Sequence, residues 1–314
     1  VFVVSFVLAL SSFDNQKHFE LTSPDSKVKI VLDNTENNLK YNLSGSGSDL
    51  ILNSEISILQ GLKVVILDTK IKEVNETWNP VWGQFSEIKD TYNELEVSLD
   101  YEGIPAKLYV RTYNNGVAFR FNVSEVSKNK KPSFFIEYGL PKTSNLYSPA
   151  GEGEPWGPLK IDDFIKMDSI KQPFKMPLVV ETEENKFMSL LESDLVSAPG
   201  FKVIDFNFDT QRANLISNNE FISEEKNIIT PWRVILLEDT IGNLLTNTVP
   251  LNVAAPNKIE DPSWIKPGKT LWDWRVHGYK TEDGFTYGIN NESYYRFIDF
   301  AAENDIEYFL IDDA

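Results

Sequence analysis

The sequence predicts a mainly β protein: an antiparallel two-sheet sandwich, followed by the first β-α-β unit of a truncated (β/α)8 TIM barrel. Three observations carry this. From about Lys17 to Glu238, apolar and polar residues alternate with period two, and no helical periodicity intervenes. The character then changes across "LNVAAPNKIEDPSWIKPGK" (251–269), a polar, proline-containing linker. After it come a strand, a loop, a helix and a strand, the order in which a parallel sheet or barrel begins.

Taken in chain order, "VFVVSFVLAL" opens the sequence as ten uninterrupted apolar residues. That is short of the roughly 20 needed to span a bilayer and fits the apolar region of a secretory signal peptide. No initiator methionine and no basic stretch precede it, so residues 1–16 read as a signal-peptide remnant and imply a periplasmic or secreted protein. The competing reading is a buried strand.

Residues 17–250 form the β domain. "KVKIVLD" (27–33), "NELEVSL" (93–99), "AKLYVRTY" (106–113) and "GVAFRFNV" (116–123) alternate as half-buried antiparallel strands do. Asn115-Gly116 in "YNNGV" is the strongest hairpin signal between two of them. Further strand-like runs lie at 133–139, 177–182, 186–193, 201–208 and 231–238. "LSGSGSDL" (43–50) reads as a flexible turn and "GEGEPWGPLK" (151–160) as a Gly/Pro loop carrying Trp156.

Residues 270–314 begin the barrel. "TLWDWRV" (270–276) is its first strand, and a helix near 292–304 sets Tyr294, Phe297, Ile298, Ala301 and Ala302 on one face, with Asn291 placed to cap its start. Tyr308 to Ile311 then has the β-branched and aromatic character of a fully buried second strand. A whole barrel takes about 250 residues, so this one cannot close within the sequence.

Composition narrows the chemistry. Forty-seven acidic against 30 basic side chains give a formal charge of -17, which repels nucleic acid and anionic lipid surfaces. Cysteine is absent, which excludes disulfides, thiolate metal sites and a cysteine nucleophile. A serine triad or a multi-histidine zinc site would have to draw on His18 and His277, and neither lies in a recognisable motif. Carboxylates remain.

Active sites of such barrels lie at the C-terminal ends of the strands. The first strand offers Trp272, Asp273, Trp274 and Arg275 there; the second offers Asp312 and Asp313. Carboxylates accept pairs of sugar hydroxyls, and indole rings stack on apolar sugar faces, so Asp312, Asp313, Trp272 and Trp274 are candidate oligosaccharide-binding residues. Strand alternation puts Trp272 and Trp274 on one face and Asp273 and Arg275 on the other. The competing reading has one tryptophan filling the core and one aspartate capping the next helix.

Seven runs in order, among them "VWGQFSEIKDTYNELEV" (81–97), "RTYNNGVAFRF" (111–121), "SLLESDLVSAPG" (189–200), "TPWRVIL" (230–236), "WIKPGKTLWDW" (264–274) and "FIDFAAENDIEYFLIDDA" (297–314), resemble glycoside hydrolase family 97. The first of the seven is "LTSPDSKVKIVL", near the start. The family comprises calcium-dependent, exo-acting α-glucosidases and α-galactosidases. The resemblance implies an N-terminal β-super-sandwich and a catalytic (β/α)8 barrel. It also implies a Ca2+ cofactor, with Glu192 in "LLESDL" as one calcium ligand and Asp194 as the fallback. The "IDD" ending is similar to the second barrel strand of the related α-galactosidase clan, where paired aspartates hold sugar hydroxyls. The family's catalytic carboxylates lie on later barrel strands, so no residue here is expected to be catalytic. α-Glucosidase is slightly favoured over α-galactosidase on family frequency.

Two rivals stand against the hydrolase. A non-catalytic carbohydrate-binding sandwich leaves the apolar terminal strand unexplained. A mutarotase-type epimerase needs a histidine and a glutamate facing the sugar, and the β domain contains only His18.

Overall fold

The computed structural model describes residues 18–124, 132–150, 152–161, 163, 176–196, 204–207, 213–220 and 227–312. The signal-peptide remnant (1–16) and Asp313 lie outside them. The chain divides into two compact units, Val1–Asn79 with Glu87–Pro256, and Pro80–Ser86 with Asn257–Ala314.

The larger unit is all β in its core. Its first strands are β1 (His18–Thr22), β2 (Val28–Thr35), β3 (Asn38–Gly45), β4 (Ser48–Ser57) and β5 (Val64–Trp78). Then come β6 (Ile88–Tyr101), β7 (Ile104–Tyr113), β8 (Gly116–Val123), β9 (Ser133–Leu140), β10 (Asn145–Ser148) and β11 (Trp156–Lys160). The last are β12 (Leu178–Glu181), β13 (Phe187–Ser193), β14 (Ile204–Asn207), β15 (Ala213–Glu220), β16 (Ile228–Ile229) and β17 (Trp232–Glu238).

One sheet has seven strands in the order β1-β2-β3-β4-β9-β15-β14. The other has ten, running β11-β10-β12-β13-β17-β8-β7-β6-β5 with β16 beside β8. Every pairing in both is antiparallel. The sheets share one core, in which alternate residues such as Ile30, Leu32, Tyr41, Leu43, Val97, Leu99, Leu108, Phe119 and Phe121 are buried. Tyr41 meets Phe119 at 5.1 Å between ring centroids, and Phe121 meets Phe134 edge-on at 5.1 Å, so the two sheets interlock through aromatics.

A second cluster, with Tyr92, Tyr113, Trp232, Val234 and Leu236, lies on the other side of the larger sheet. The helix α1 (Val249–Asn252) contributes Val249 to it. Strand β17 is therefore buried on both faces, which is why its sequence reads as a run rather than an alternation.

Two turns refine the sequence reading. The hairpin between β7 and β8 is present, but its loop is Asn114-Asn115 and Gly116 is already a strand residue. The glycine is needed because a Cβ there would lie 2.9 Å from the Ile235 carbonyl oxygen of β17. The stretch 43–50 is the β3–β4 hairpin, tightened by Ser46 and Gly47, both at positive φ (51° and 87°). Residues 156–160, expected to be loop, form β11.

The smaller unit holds β18 (Thr270–Trp272), α2 (Asn291–Glu303) and β19 (Tyr308–Leu310). The two strands pair in parallel, with Thr270 opposite Tyr308, Leu271 opposite Phe309 and Trp272 opposite Leu310. Helix α2 crosses between them: Tyr294 and Phe297 touch Phe309, the latter stacked at 5.0 Å. Its start is capped by Asn290, not Asn291, the Asn290 side chain accepting from the Ser293 N–H at 2.8 Å. Ile298 and Ala302, expected on the inner face, are exposed.

Candidate functional site

The first strand of the smaller unit stops at Trp272, four residues earlier than the sequence suggested, because Trp274–Val276 turn into a 3-10 helix. Asp273 sits at that junction. The turn leaves Trp272 39% and Trp274 48% exposed while Asp273 is 0% exposed. Arg275 lies over the Trp272 ring at 5.5 Å.

From the end of β19, the Asp312 backbone N–H donates to Asp273 Oδ1 at 3.1 Å. The carboxylate of one strand thereby fixes the backbone of the next. Asp312 itself is exposed. His277 joins the cluster through an edge-on contact with Trp274 at 5.8 Å and a 3.5 Å approach of its Nε2 to Asp273 Oδ2. The structure thus places Trp272, Trp274 and Asp312 at or just beyond the ends of two parallel strands, with Asp273, also read from the sequence as a strand-end residue, and His277 beside them. The pairing of Asp273 with His277 escaped the sequence reading because a 3-10 turn, unlike a strand, folds residue i+4 back towards residue i.

β19 is less buried than its composition suggested: Tyr308 and Leu310 are 44% and 48% exposed. Among the described residues it pairs only with β18, so half of its hydrogen-bonding edge and much of its apolar surface remain open.

Glu192 and Asp194 stand at the end of β13 in the larger unit. Glu192 lies opposite Arg233 of β17 in register and forms an ion pair with it. Arg233 is fully buried, on the same side of β17 as the core residues Ile235 and Leu237, and its guanidinium lies 4.9 Å over the Phe134 ring of the facing sheet. Burial pulls this guanidinium below its ordinary value, and the nearby Tyr138 pushes the other way. Asp194 pairs with Arg120 and also accepts the Ala255 backbone N–H at 3.3 Å. Ser193, between them, donates to the Pro250 carbonyl at 2.6 Å. Three consecutive residues are each anchored to a different element.

Calcium takes six to eight oxygen ligands. No three acidic or histidine side chains converge among the described residues, and the Glu192 carboxylate already faces a buried cation. These residues can supply one ligand of such a site but do not fit the set. No helix among the described residues is long and apolar enough to cross a membrane.

An antiparallel double sheet is followed by a parallel unit whose strand ends present indoles beside carboxylates, groups that can stack on and hydrogen-bond a sugar. The family model "Glycosyl-hydrolase 97 N-terminal" matches residues 21–256, the greater part of the chain, and the chain belongs to that glycoside hydrolase family. A retaining alpha-galactosidase of Bacteroides thetaiotaomicron is 26% identical over 100% of this chain and 52% of its own length. A family 97 enzyme of Pseudoalteromonas sp. strain K8, solved in complex with acarbose, superposes with a TM-score of 0.76 at 19% identity, covering 94% of this chain and 47% of that one. A beta-arabinopyranosidase structure shares the fold with a TM-score of 0.73 at 18% identity, covering 94% of this chain and 50% of that one. The chain therefore spans about half the length of the relatives it matches.

Proposed function

We propose that this chain is the N-terminal portion of an exo-acting glycoside hydrolase that removes a terminal α-linked hexose from oligosaccharides. The observation that carries this is the match along the whole chain to a retaining alpha-galactosidase. It favours an α-galactoside, with net retention, over the α-glucoside that family frequency suggested. The parallel unit is the opening of the catalytic (β/α)8 barrel in this reading, and Trp272, Trp274, Asp312 and Asp313 bind the sugar at its mouth.

Retention requires two carboxyl groups about 5–5.5 Å apart, one protonating the departing oxygen and one attacking the anomeric carbon. Neither is assigned among the residues described. What this chain does is bind: indoles cover the apolar sugar face, and Asp312 accepts hydroxyls. Glu192, already paired with Arg233, would supply at most one oxygen to a calcium ion, and the remaining ligands would come from outside the described residues. Such an ion would fix carboxylate positions and neutralise negative charge. The apolar first ten residues support a periplasmic or secreted location.

The test uses the full-length gene product with p-nitrophenyl α-galactoside and α-glucoside, following the first-formed anomer by proton NMR. Preferential α-galactoside cleavage releasing the α-anomer supports the proposal. Sugar binding without turnover would instead establish a non-catalytic binding protein. Chelation is expected to abolish turnover and added calcium to restore it; full activity in calcium-depleted protein would remove calcium from the scheme.

A further inference from the structure

Asp273 is fully buried although it is flanked by two exposed indoles. A buried carboxylate is costly unless its surroundings answer its charge. A hydrogen bond answers only one oxygen: Oδ1 accepts the Asp312 N–H. Oδ2 is buried without a hydrogen bond, and it faces His277 Nε2, likewise buried without one, at 3.5 Å. Two orphaned polar atoms that face each other in a site are a feature requiring an explanation. The His277 side chain is still 21% exposed. Nε2 is the ring nitrogen that is buried.

The geometry points to Asp273 and His277 as an acid–imidazole pair that adds a hydroxyl-binding nitrogen to the strand-end site. Asp273 is the positioning residue. Its carboxylate holds the imidazole with the Nε2 proton turned inward, which leaves Nδ1 unprotonated and able to accept a hydrogen bond. His277 is the binding residue, and Nδ1 accepts from a hydroxyl of the terminal hexose while Trp274, in contact with the same ring, covers an apolar sugar face. Because Asp273 also ties the Asp312 backbone, one buried group sets both polar arms of the site. The identity of the ligand rests on the proposed glycosidase reading; the pairing itself does not.

Two variants of the full-length protein test this. His277→Phe keeps a ring against Trp274 but removes the nitrogen. Asp273→Asn keeps an acceptor for the Asp312 N–H but offers an amide donor towards Nε2, which reverses the tautomer. Each is expected to raise KM for the preferred α-hexoside about tenfold, the scale of one lost hydrogen bond, with kcat changed far less. The double variant should be no worse than His277→Phe alone, since the aspartate acts through the imidazole.

Nitrogen NMR of labelled histidine gives a readout independent of turnover: His277 Nε2 should carry the proton in the parent and Nδ1 in Asp273→Asn. An unchanged KM in His277→Phe, additive losses in the double variant, or a parent tautomer with the proton on Nδ1 would each overturn the assignment. If the parent acts on no α-hexoside, the glycosidase reading fails, and the tautomer measurement alone decides whether the pair exists.

Discussion

The two units of the chain solve the problem of a short strand in opposite ways. In the sandwich, β17 is paired on both edges and covered on both faces, so Val234 and Ile235 are completely removed from solvent. In the smaller unit, β19 has the same kind of sequence, yet Tyr308, Leu310 and Ile311 stay substantially exposed, and Ala301 is the one buried hydrophobic residue recorded for 257–312. The difference teaches that apolar composition marks a strand's capacity for burial, whereas a covering layer on its faces decides whether burial occurs.

The largest expected effect breaks the sandwich at its buried ion pair. Glu192→Gln removes the carboxylate charge that faces the buried Arg233 guanidinium. It should cost about 3–5 kcal/mol, read from urea melts of the full-length protein. Replacing both partners, as Glu192→Leu with Arg233→Met, should recover most of that stability. A double variant as unstable as the single one would show that the pair is not what holds this end of the sandwich.

A smaller effect sharpens the contrast through pH. Burial pushes Tyr101 and Tyr92 up to about 12 from 10.0. A phenol whose folded value is raised above its unfolded one contributes stability that is complete below about pH 10 and is lost as pH rises through about 12. The sandwich should therefore lose stability across that window, and Tyr101→Phe should flatten the fall. Parallel alkaline decay in parent and variant would refute this.

The smallest effect is confined to the other unit. Asn290→Ala removes the cap of α2 and should cost about 1 kcal/mol, visible as reduced helical circular dichroism with the sandwich transition unmoved. A shift of the sandwich melt instead would mean that the units do not report independently.

Alternation made β2, β6, β7 and the second half of β8 legible because each has one face on the core and the other less buried. The same rule overlooked β5, an edge strand whose residues are mostly exposed on both faces and so show no contrast to read. It overlooked β3 and β4 because Ser46 and Gly47 look like the centre of a loop when they are only its two-residue tip. At the strand ends, Trp272, Trp274 and Asp312 could be placed from the order of elements alone. The contact between Asp273 and His277 could not, since it depends on a turn that interrupts the strand. The Glu192–Arg233 pair escaped for a different reason: its partners come from strands separated by a long stretch of chain, and only the register of β13 against β17 aligns them.

Strand β17 also has a consequence in time. Among the described residues it is the sole link in the ten-stranded sheet between the group β10 to β13 and the group β5 to β8. On a ribosome, both groups emerge before it does. Until residues 232–238 leave the exit tunnel, each group carries an open inner edge that can find a wrong partner. Joining them requires closing loops that reach back to residue 116, the slow class of contact in folding. The nascent protein's most hazardous interval is thus the synthesis of the segment between β13 and β17, and a pause there would lengthen its exposure to chaperones and proteases alike.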